Sequence, residues 1–318
     1  MTASSTTPHA PDRFAQKSAA ASCRVSGARG LTPVLDLGMM PLADGLLTRE
    51  QLAQGNERRF PLALAFSPDS GLMQILETFV AAGIPVLGID PAPGPAAAAQ
   101  KIGVPTRCEF FTLDLARSLA REGVRADVVI GNNVLAHVAD TNGFVRGVAE
   151  LLTDTGTTSI EVPYLRDLVD HCEFDTIYHE HLCYFSVHAA DYLFRRNGLF
   201  LNEVRRIPIH GGSLRLFAGR RQNVHPSVKA LLAEEKALGM DTPAYYTSFA
   251  QRVRAIGQTM RAMLSDLRSQ GKTIAAYGAP AKGNTLLNYA GIDTEVLDYV
   301  VDDSQYKQGL FTPGTHIP

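Results

Sequence analysis

The segment Pro85-Val86-Leu87-Gly88-Ile89-Asp90 decides the fold, because a short apolar run that ends in an acid is typical of a buried parallel strand. Ala126-Asp127-Val128-Val129-Ile130 is a second run of this kind. Helical spacing at residues 96–102 and 143–152, and a strand pattern at 158–162, place helices between the strands. Strands that alternate with helices predict an α/β fold with a doubly wound sheet.

The downstream half predicts a second α/β unit. Residues 204–217 alternate around Gly211-Gly212, as in a hairpin. Residues 182–198 and 228–270 have helical spacing, and the stripe in the second segment indicates a core face. Strand, helix and strand patterns then follow at 273–277, 284–289 and 296–301.

The upstream part contains fewer regular elements. Residues 62–66 have the pattern of a short strand and residues 72–82 that of a helix, whereas residues 23–66 as a whole are rich in turn formers. Residues 1–22 are rich in Ala, Ser, Thr and Pro, and they contain no apolar core of a secretion signal. We expect them to be a disordered tail.

Composition restricts the possible partners. The chain has 318 residues, 45% hydrophobic and 19% charged, with a net charge of -2. This near-neutral balance predicts no broad attraction to nucleic acid or membrane, and no apolar run approaches the ~20 residues of a membrane span. The four cysteines are scattered and form no disulfide framework, so we expect a reducing, cytoplasmic location.

Two predicted strand ends carry polar residues that could bind a cofactor. Asp90 follows Gly71 by 19 residues, a spacing at which an acid holds ribose hydroxyls. The preceding Ser67-Pro68-Asp69-Ser70-Gly71 supplies one glycine only, and capping of a turn by Asp90 is the alternative. Asn132 and His137 follow the strand at 126–130, where they could contact a ligand or cap the next helix.

The densest polar cluster is Tyr178-His179-Glu180-His181. It supplies two potential bases and two hydrogen-bond donors, and histidine titrates near neutrality, which suits proton abstraction. A metal site built from His179, His181 and Cys183 is the alternative, although no second group of ligands accompanies it.

Two glycine-containing motifs complete the candidates. His210 precedes Gly211-Gly212 and could lie in a turn or contact a ligand. Gly278-Ala-Pro-Ala-Lys282-Gly283 resembles a phosphate loop, but Asn284 replaces the lysine of a Walker A motif. ATP hydrolysis is therefore not expected, whereas a backbone contact to a phosphate at the helix start is.

Together these strings resemble the sugar C-methyltransferases that act on TDP-4-keto-deoxysugars. The matching strings follow the family order from Cys23 to the last residue: Val34-Leu-Asp-Leu-Gly38, Pro41-Leu-Ala43, Pro85 to Asp90, Asn132-Asn-Val-Leu-Ala-His-Val138, Phe174 to His181, Pro208-Ile-His-Gly-Gly-Ser-Leu214 and Tyr277-Gly-Ala-Pro-Ala-Lys-Gly-Asn-Thr285.

The resemblance implies an N-terminal zinc-binding domain, a Rossmann-like class I methyltransferase sheet that binds S-adenosylmethionine (SAM), and a C-terminal α/β domain that helps hold the nucleotide sugar. It implies removal of the C3 proton beside the C4 ketone and attack of the enolate on the SAM methyl group. By position, His181 would be the base, and the groups that line the sugar and steady the enolate would be Tyr178, Glu180 and His137.

The resemblance also assigns binding residues. Those on the cofactor side are Asp90, Asn132, Asp69 and Gly71. Those on the substrate side are His179, His210, Lys282 and Asn284. The implied boundaries are a tail at 1–22, a degenerate zinc-type domain at 23–71, a SAM domain at 72–205 and an incomplete C-terminal domain at 206–318.

The chain departs from the family pattern in three places. The cysteine pairs of the zinc domain correspond here to Cys23-Arg-Val-Ser26 and Ser67-Pro-Asp-Ser70, so we expect zinc to be lost. The segment with the tyrosine loop and the acidic, glycine-rich SAM loop is missing after Gly71, and the family continues beyond Pro318. Residues 62–66 offer a replacement strand, with which the SAM sheet could still close as an altered first strand.

The sequence therefore predicts a methyltransferase of impaired activity, with a non-catalytic protein that binds a nucleotide sugar as the alternative. A nicotinamide-dependent sugar enzyme is disfavoured by the single-glycine loop.

Overall fold

The structure, a computed structural model, describes residues 32–43, 45–66 and 84–318. Its first elements are strand β1 (Thr32–Pro41), helix α1 (Arg49–Gln54) and strand β2 (Arg59–Phe66). Strands β1 and β2 pair antiparallel, from Thr32 opposite Phe66 to Pro41 opposite Arg59. Helix α1 begins at the capping box of Thr48 and Gln51.

This pairing corrects one expectation. Residues 62–66 are a strand, as predicted, but the idea that they could serve as an altered first strand of the SAM sheet is wrong, because they pair with β1. An antiparallel partner close in sequence needs no crossover connection, whereas a parallel partner does.

The next elements form a small parallel unit. Strand β3 (Gly88–Ile89) is followed by α2 (Pro93–Lys101), β4 (Thr106–Arg107) and α3 (Leu113–Arg121). Strands β3 and β4 pair in parallel, which agrees with the expected direction of the segment at 85–90. The ladder covers two residues of each strand, so the strand is shorter than predicted.

The main sheet has four strands. Strand β5 (Ala126–Asn132) leads through a short 3-10 helix (Leu135–His137) and α4 (Thr141–Leu151) to β6 (Leu152–Pro163). Helix α5 (Leu165–Asp170), a second 3-10 helix (Phe174–Thr176) and α6 (Val187–Arg196) precede the hairpin of β7 (Phe200–Ile207) and β8 (Ser213–Gly219).

The strand order of this sheet is β5-β6-β8-β7. Strands β5 and β6 are parallel, whereas β8 is antiparallel to both of its neighbours. The predicted boundary between residues 205 and 206 falls within β7, and the sheet continues to Gly219. Within the described residues, no ladder joins this sheet to β3 and β4.

The helical segment predicted at 228–270 is three helices rather than one: α7 (Pro226–Ala237), α8 (Pro243–Tyr246) and α9 (Phe249–Ser269). The first break contains Gly239, which has a left-handed φ of 72°, and Pro243 begins the next helix. Likewise, the helix predicted from residue 182 begins only at Val187, so residues 182–185 form a loop.

The last elements confirm the predicted strand-helix-strand unit. They are β9 (Ala275–Tyr277), α10 (Ala281–Ala290) and β10 (Tyr299–Val301), and the two strands are parallel. In the part of the chain that the structure describes, no helix combines the length and the apolarity needed to cross a membrane.

One apolar cluster unites distant parts of the chain. It joins the β1–β2 hairpin, through Leu35 and Leu62, to Phe174 and Ile177 and to Phe249 of α9. The cluster packs beneath the Tyr178–His181 segment, because Phe174 and Ile177 are buried immediately before it. The fold thereby places the polar cluster where the N-terminal hairpin and the C-terminal helices meet.

Candidate active site

His181 is held by hydrogen bonds at both ring nitrogens. Its Nδ1 lies 2.8 Å from the Thr176 carbonyl oxygen, and its Nε2 lies 3.0 Å from Tyr178 Oη. A carbonyl oxygen only accepts, so Nδ1 carries the proton and Nε2 accepts from the Tyr178 hydroxyl. This network fixes the tautomer in which Nε2 has the lone pair.

The surroundings of His181 keep it neutral. Burial is the main cause that lowers its pKa to about 4; the Thr176 carbonyl acts in the opposite direction, and His137 and Lys282 lower the pKa further. A neutral imidazole at pH 7 can accept a proton, as a general base must.

His137 reaches this site from another element. The Leu182 amide donates to the Ala136 carbonyl at 2.6 Å, which ties the loop after His181 to the 3-10 helix that follows β5. The His137 and His181 rings then meet edge to face with centroids 4.8 Å apart. His137 is exposed, so the half-buried His181 lies directly behind a side chain that faces solvent.

His179 and Glu180 bring polar atoms that have no partner in the described residues. Both ring nitrogens of His179 and Oε2 of Glu180 are buried without a hydrogen bond. The His179 ring meets Phe60 of β2 edge to face, at a centroid distance of 5.8 Å. Because unpaired buried polar groups are unfavourable, these atoms are candidates for ligand contacts.

Lys282 lies in the first turn of α10 and faces the segment before the site. Its charge acts on Glu173, Asp175 and His181. Burial raises the pKa values of Glu173 and Asp175, and Lys282 opposes that rise. The predicted substrate residue Lys282 is therefore close to the predicted base.

Asn284 has a structural contact that the sequence did not predict. It is 1% exposed, and its side-chain amide donates to the Ala43 carbonyl at 2.7 Å. Asn284, which was predicted to contact the substrate, therefore links α10 to the loop after β1. Its Oδ1 is buried without a partner in the described residues.

His210 occupies a strained and exposed turn. His210, Gly211 and Gly212 all have positive φ angles, of 53°, 91° and 134°. The turn lies against two carboxylates, because a Cβ on Gly211 would come within 2.1 Å of Glu173 and one on Gly212 within 2.2 Å of Asp167. Asp167 is itself paired with Arg206 at 2.6 Å.

The cofactor side is described only in part. Asp90 is half-buried at the end of β3, and its Oδ1 accepts the Ala92 amide at 2.8 Å, which is the capping role considered as the alternative. Asn132 is half-buried at the end of β5. Asp69 and Gly71 lie outside the described residues.

In the described part of the chain, no three His, Cys, Asp or Glu side chains, His179, His181 and Cys183 included, converge as metal ligands. Cys23 and the serines at 26, 67 and 70 lie outside the described residues, so the loss of zinc remains a prediction.

Two groups beside His181 were not predicted from the sequence. The Thr176 carbonyl is a backbone group, so no residue pattern could indicate that it orients His181. Tyr184 also donates to this carbonyl, at 3.3 Å, and its ring lies 6.2 Å from that of His181. Its position three residues after His181 was the available signal.

Comparison with known families gives three matches in chain order. Residues 23–84 match the model described as "Putative zinc binding domain", residues 70–158 a methyltransferase domain, and residues 208–318 a C-methyltransferase C-terminal domain. Over residues 23–158 and 208–318 the chain is thus similar, in the same order, to the domains of C-methyltransferases.

A curated relative shows the same similarity. The C-methyltransferase NovU of Streptomyces niveus is 35% identical over 283 residues, which are 88% of this chain and 66% of the relative. The chain thus spans slightly less than two thirds of that protein's length.

A solved structure from work on the conversion of a disulfide bond into a thioacetal group during echinomycin biosynthesis is 16% identical. It covers 50% of this chain and 76% of its own, with a TM-score of 0.32, too low to bear on fold or function.

Proposed function

We propose that this protein is a SAM-dependent C-methyltransferase that acts on a nucleotide-linked 4-keto-deoxysugar, and that methyl transfer by this chain is impaired. The observation that carries the proposal is the neutral His181, held with its Nε2 lone pair toward Tyr178 and bordered by His137. Just before His181 in the sequence, His179 and Glu180 have buried polar atoms without a hydrogen-bond partner in the described residues, and a ligand could bind there.

These unpaired atoms suit a sugar. A hydroxyl group both donates and accepts, so it can satisfy an imidazole, which has one donor and one acceptor, as well as a carboxylate oxygen. The exposed edge of Phe60 beside His179 adds an apolar wall. A keto sugar therefore matches both the acid–base groups and the binding groups of this site.

The chemistry follows from these roles. The proton that leaves C3, the carbon beside the ketone, ends on His181, while Lys282 stabilises the charge that develops on the ketone oxygen. SAM, when bound, supplies the electrophilic methyl group that the enolate attacks. Glu180 and His179 orient the sugar through its hydroxyl groups.

The cofactor side supports binding less well. We infer that β3–β4 and β5–β6, two parallel pairs, belong to one Rossmann-like SAM sheet, with Asp90 and Asn132 at their carboxyl ends. Asp90 uses one carboxylate oxygen to cap a turn, which leaves the other for a ribose hydroxyl. In the segment 67–71, which we expect to bind the methionine part of SAM, Pro68 has no backbone N–H donor and Asp69 is the acidic residue.

A non-catalytic protein that binds a nucleotide sugar is the second candidate. It is favoured by the contrast between the substrate-side cluster, where Tyr178, Glu180 and His181 are all present, and the single-glycine loop at 67–71. We place either protein in a reducing cytoplasm, in keeping with the free thiols of Cys108 and Cys172.

One assay separates the two candidates. The chain is incubated with SAM and TDP-4-keto-6-deoxyglucose, and mass spectrometry follows the nucleotide sugar for the added methyl group. Slow but enzyme-dependent methylation, abolished in His181→Asn, supports the methyltransferase. No methylation and no heat of SAM binding in calorimetry would leave the binding protein as the function.

A further inference from the structure

Both ring nitrogens of His181 are engaged in hydrogen bonds. Nδ1 is committed to the Thr176 carbonyl at 2.8 Å, and Nε2 is committed to Tyr178 Oη at 3.0 Å. The Tyr178 ring also stacks on the imidazole, with centroids 4.1 Å apart and planes at 31°. A base that acts directly through Nε2 must first lose this hydrogen bond.

The commitment of Nδ1 is supported from several sides. Tyr184 donates to the same carbonyl at 3.3 Å, and the Thr176 carbonyl belongs to the end of the 3-10 helix (Phe174–Thr176). Phe174 is buried and contacts Tyr289 of α10 edge to face, at 5.0 Å. The ring therefore cannot exchange its two nitrogens without a rearrangement of a packed segment.

We propose that Tyr178 Oη is the atom that takes the proton from the substrate, and that it passes its own phenolic proton to His181 Nε2. This inference rests on the proposed function, and it assigns to Tyr178 the role of catalytic residue that touches the substrate. His181 is then the terminal proton acceptor behind it.

The step is balanced in atoms and electrons. The C3–H bond breaks and its electron pair becomes the enolate, while a new O–H bond forms at Tyr178. The former phenolic proton forms an N–H bond at His181, which becomes an imidazolium. Lys282 and His137 face His181 and disfavour that cation, so the negative charge of the enolate is the partner that stabilises it.

The two routes predict opposite effects of a single substitution. If His181 acts directly, Tyr178→Phe frees Nε2 and leaves deprotonation unchanged or faster. If Tyr178 is the relay, the same substitution removes the hydroxyl that passes its proton to Nε2, and deprotonation falls by about 100-fold or more, as for loss of a general base.

Deprotonation can be measured without SAM. The protein is mixed with TDP-4-keto-6-deoxyglucose in D2O, and NMR follows loss of the C3 proton signal. The variants are wild type, Tyr178→Phe, His181→Asn and, as a matched control, Tyr192→Phe, which alters a tyrosine of α6 that is 41% exposed. Calorimetry with the same nucleotide sugar shows which variants still bind.

The relay predicts exchange in wild type and Tyr192→Phe, with loss of exchange but retained binding in Tyr178→Phe and His181→Asn. Exchange in Tyr178→Phe at or above the wild-type rate would overturn the relay while leaving the proposed function intact. Wild-type protein that binds the sugar without any exchange also overturns the relay. Wild-type protein that does not bind the sugar overturns the proposed function itself.

Discussion

At the scale of single residues, Gly212 has the least freedom to change. Its φ of 134° favours glycine, and an added Cβ would come within 2.7 Å of the Asp167 Cβ as well as against its carboxylate. Asp167 cannot easily move, because it is 5% exposed and paired with Arg206. We expect Gly212→Ala to lower the free energy of unfolding by about 2–4 kcal/mol in urea titrations.

Gly103→Ala is the matched control for this prediction. Gly103 also has a left-handed φ, of 85°, but nothing lies within 4 Å of an added Cβ. We expect Gly103→Ala to lower the free energy of unfolding by about 1 kcal/mol, because it strains the backbone but causes no steric clash. Equal losses for the two variants would show that the contact with Asp167 contributes nothing.

His181 makes a prediction about acid stability. Its pKa is lowered from 6.5 to about 4, so the unfolded chain binds this proton more tightly than the folded one. Stability contributed through His181 is therefore complete above pH 6.5 and falls as the pH drops toward 4, by an amount on the order of 2–3 kcal/mol.

The comparison of wild type with His181→Asn at pH 7 and pH 4 isolates this effect. The variant should lose less unfolding free energy between the two pH values than wild type does. Buried carboxyl groups such as Glu173 and Asp175 titrate in both proteins and cancel in the difference. A pH dependence that is identical in the two proteins would contradict the assigned burial of His181.

The sequence predicted which side chains have acid–base chemistry at this site, but not their states. Tyr178 and His181 stand out because titratable residue types are dense there. The tautomer of His181 depends on a backbone carbonyl that comes close only after the segment folds. Asn284 was predicted to contact the substrate, but its side chain donates a hydrogen bond to the Ala43 carbonyl. A polar residue at a helix start can make such a structural contact as readily as a contact to a ligand.

At the scale of elements, Glu235 of α7 holds the start of α6. Its Oε1 accepts the Val187 amide at 2.6 Å and the Tyr164 hydroxyl at 2.9 Å, and its Oε2 accepts the His188 amide at 2.9 Å. Glu235 is 2% exposed. Replacement by glutamine places an NH2 donor against these donors, and we expect a loss of about 2–3 kcal/mol in thermal or urea unfolding.

The adjacent Glu234→Gln serves as the control. Glu234 pairs with Arg166, but its side chain is 45% exposed, and such pairs contribute less than about 1 kcal/mol. If Glu234→Gln proves as harmful as Glu235→Gln, the stabilisation comes from general charge balance rather than from capping of α6.

Elements were predictable where local signals suffice. The strand-helix-strand unit at β9, α10 and β10 follows from residue pattern and short connections. The segment at 228–270 was predicted as one helix because the apolar spacing outweighed Gly239 and Pro243, although both are helix breakers. The partner of β2 was not predicted, because residues 23–66 are rich in turn formers, which hid the strand β1.

At the scale of the whole molecule, the N-terminal hairpin is bound to the C-terminal region rather than separate from it. Arg59 donates to the Gly314 carbonyl at 2.9 Å, and Glu57 accepts the Gly314 amide at 2.7 Å. Phe60 of the same strand β2 contacts His179. The β1–β2 hairpin, within the match to the putative zinc-binding domain, therefore contributes a wall of the candidate site, a role that its residue pattern did not predict.

As proposed above, Tyr178, Glu180 and His181 form a binding site for a nucleotide-linked keto sugar. Glu180 should act mainly in binding, through its unpaired Oε2, whereas His181 should act mainly after binding. Loss of one charged hydrogen bond corresponds to about a 10-fold weaker Kd. Glu109→Gln, at a surface carboxylate that is 52% exposed, is the matched control.

Isothermal titration calorimetry with TDP-4-keto-6-deoxyglucose measures whether these side chains bind the sugar. We expect wild type and Glu109→Gln to bind alike, Glu180→Gln to bind about 10-fold more weakly, and His181→Ala to change Kd by less than about 3-fold. Absence of binding to wild type, or equal affinities of wild type and Glu180→Gln, would show that this cluster is not a sugar-binding site.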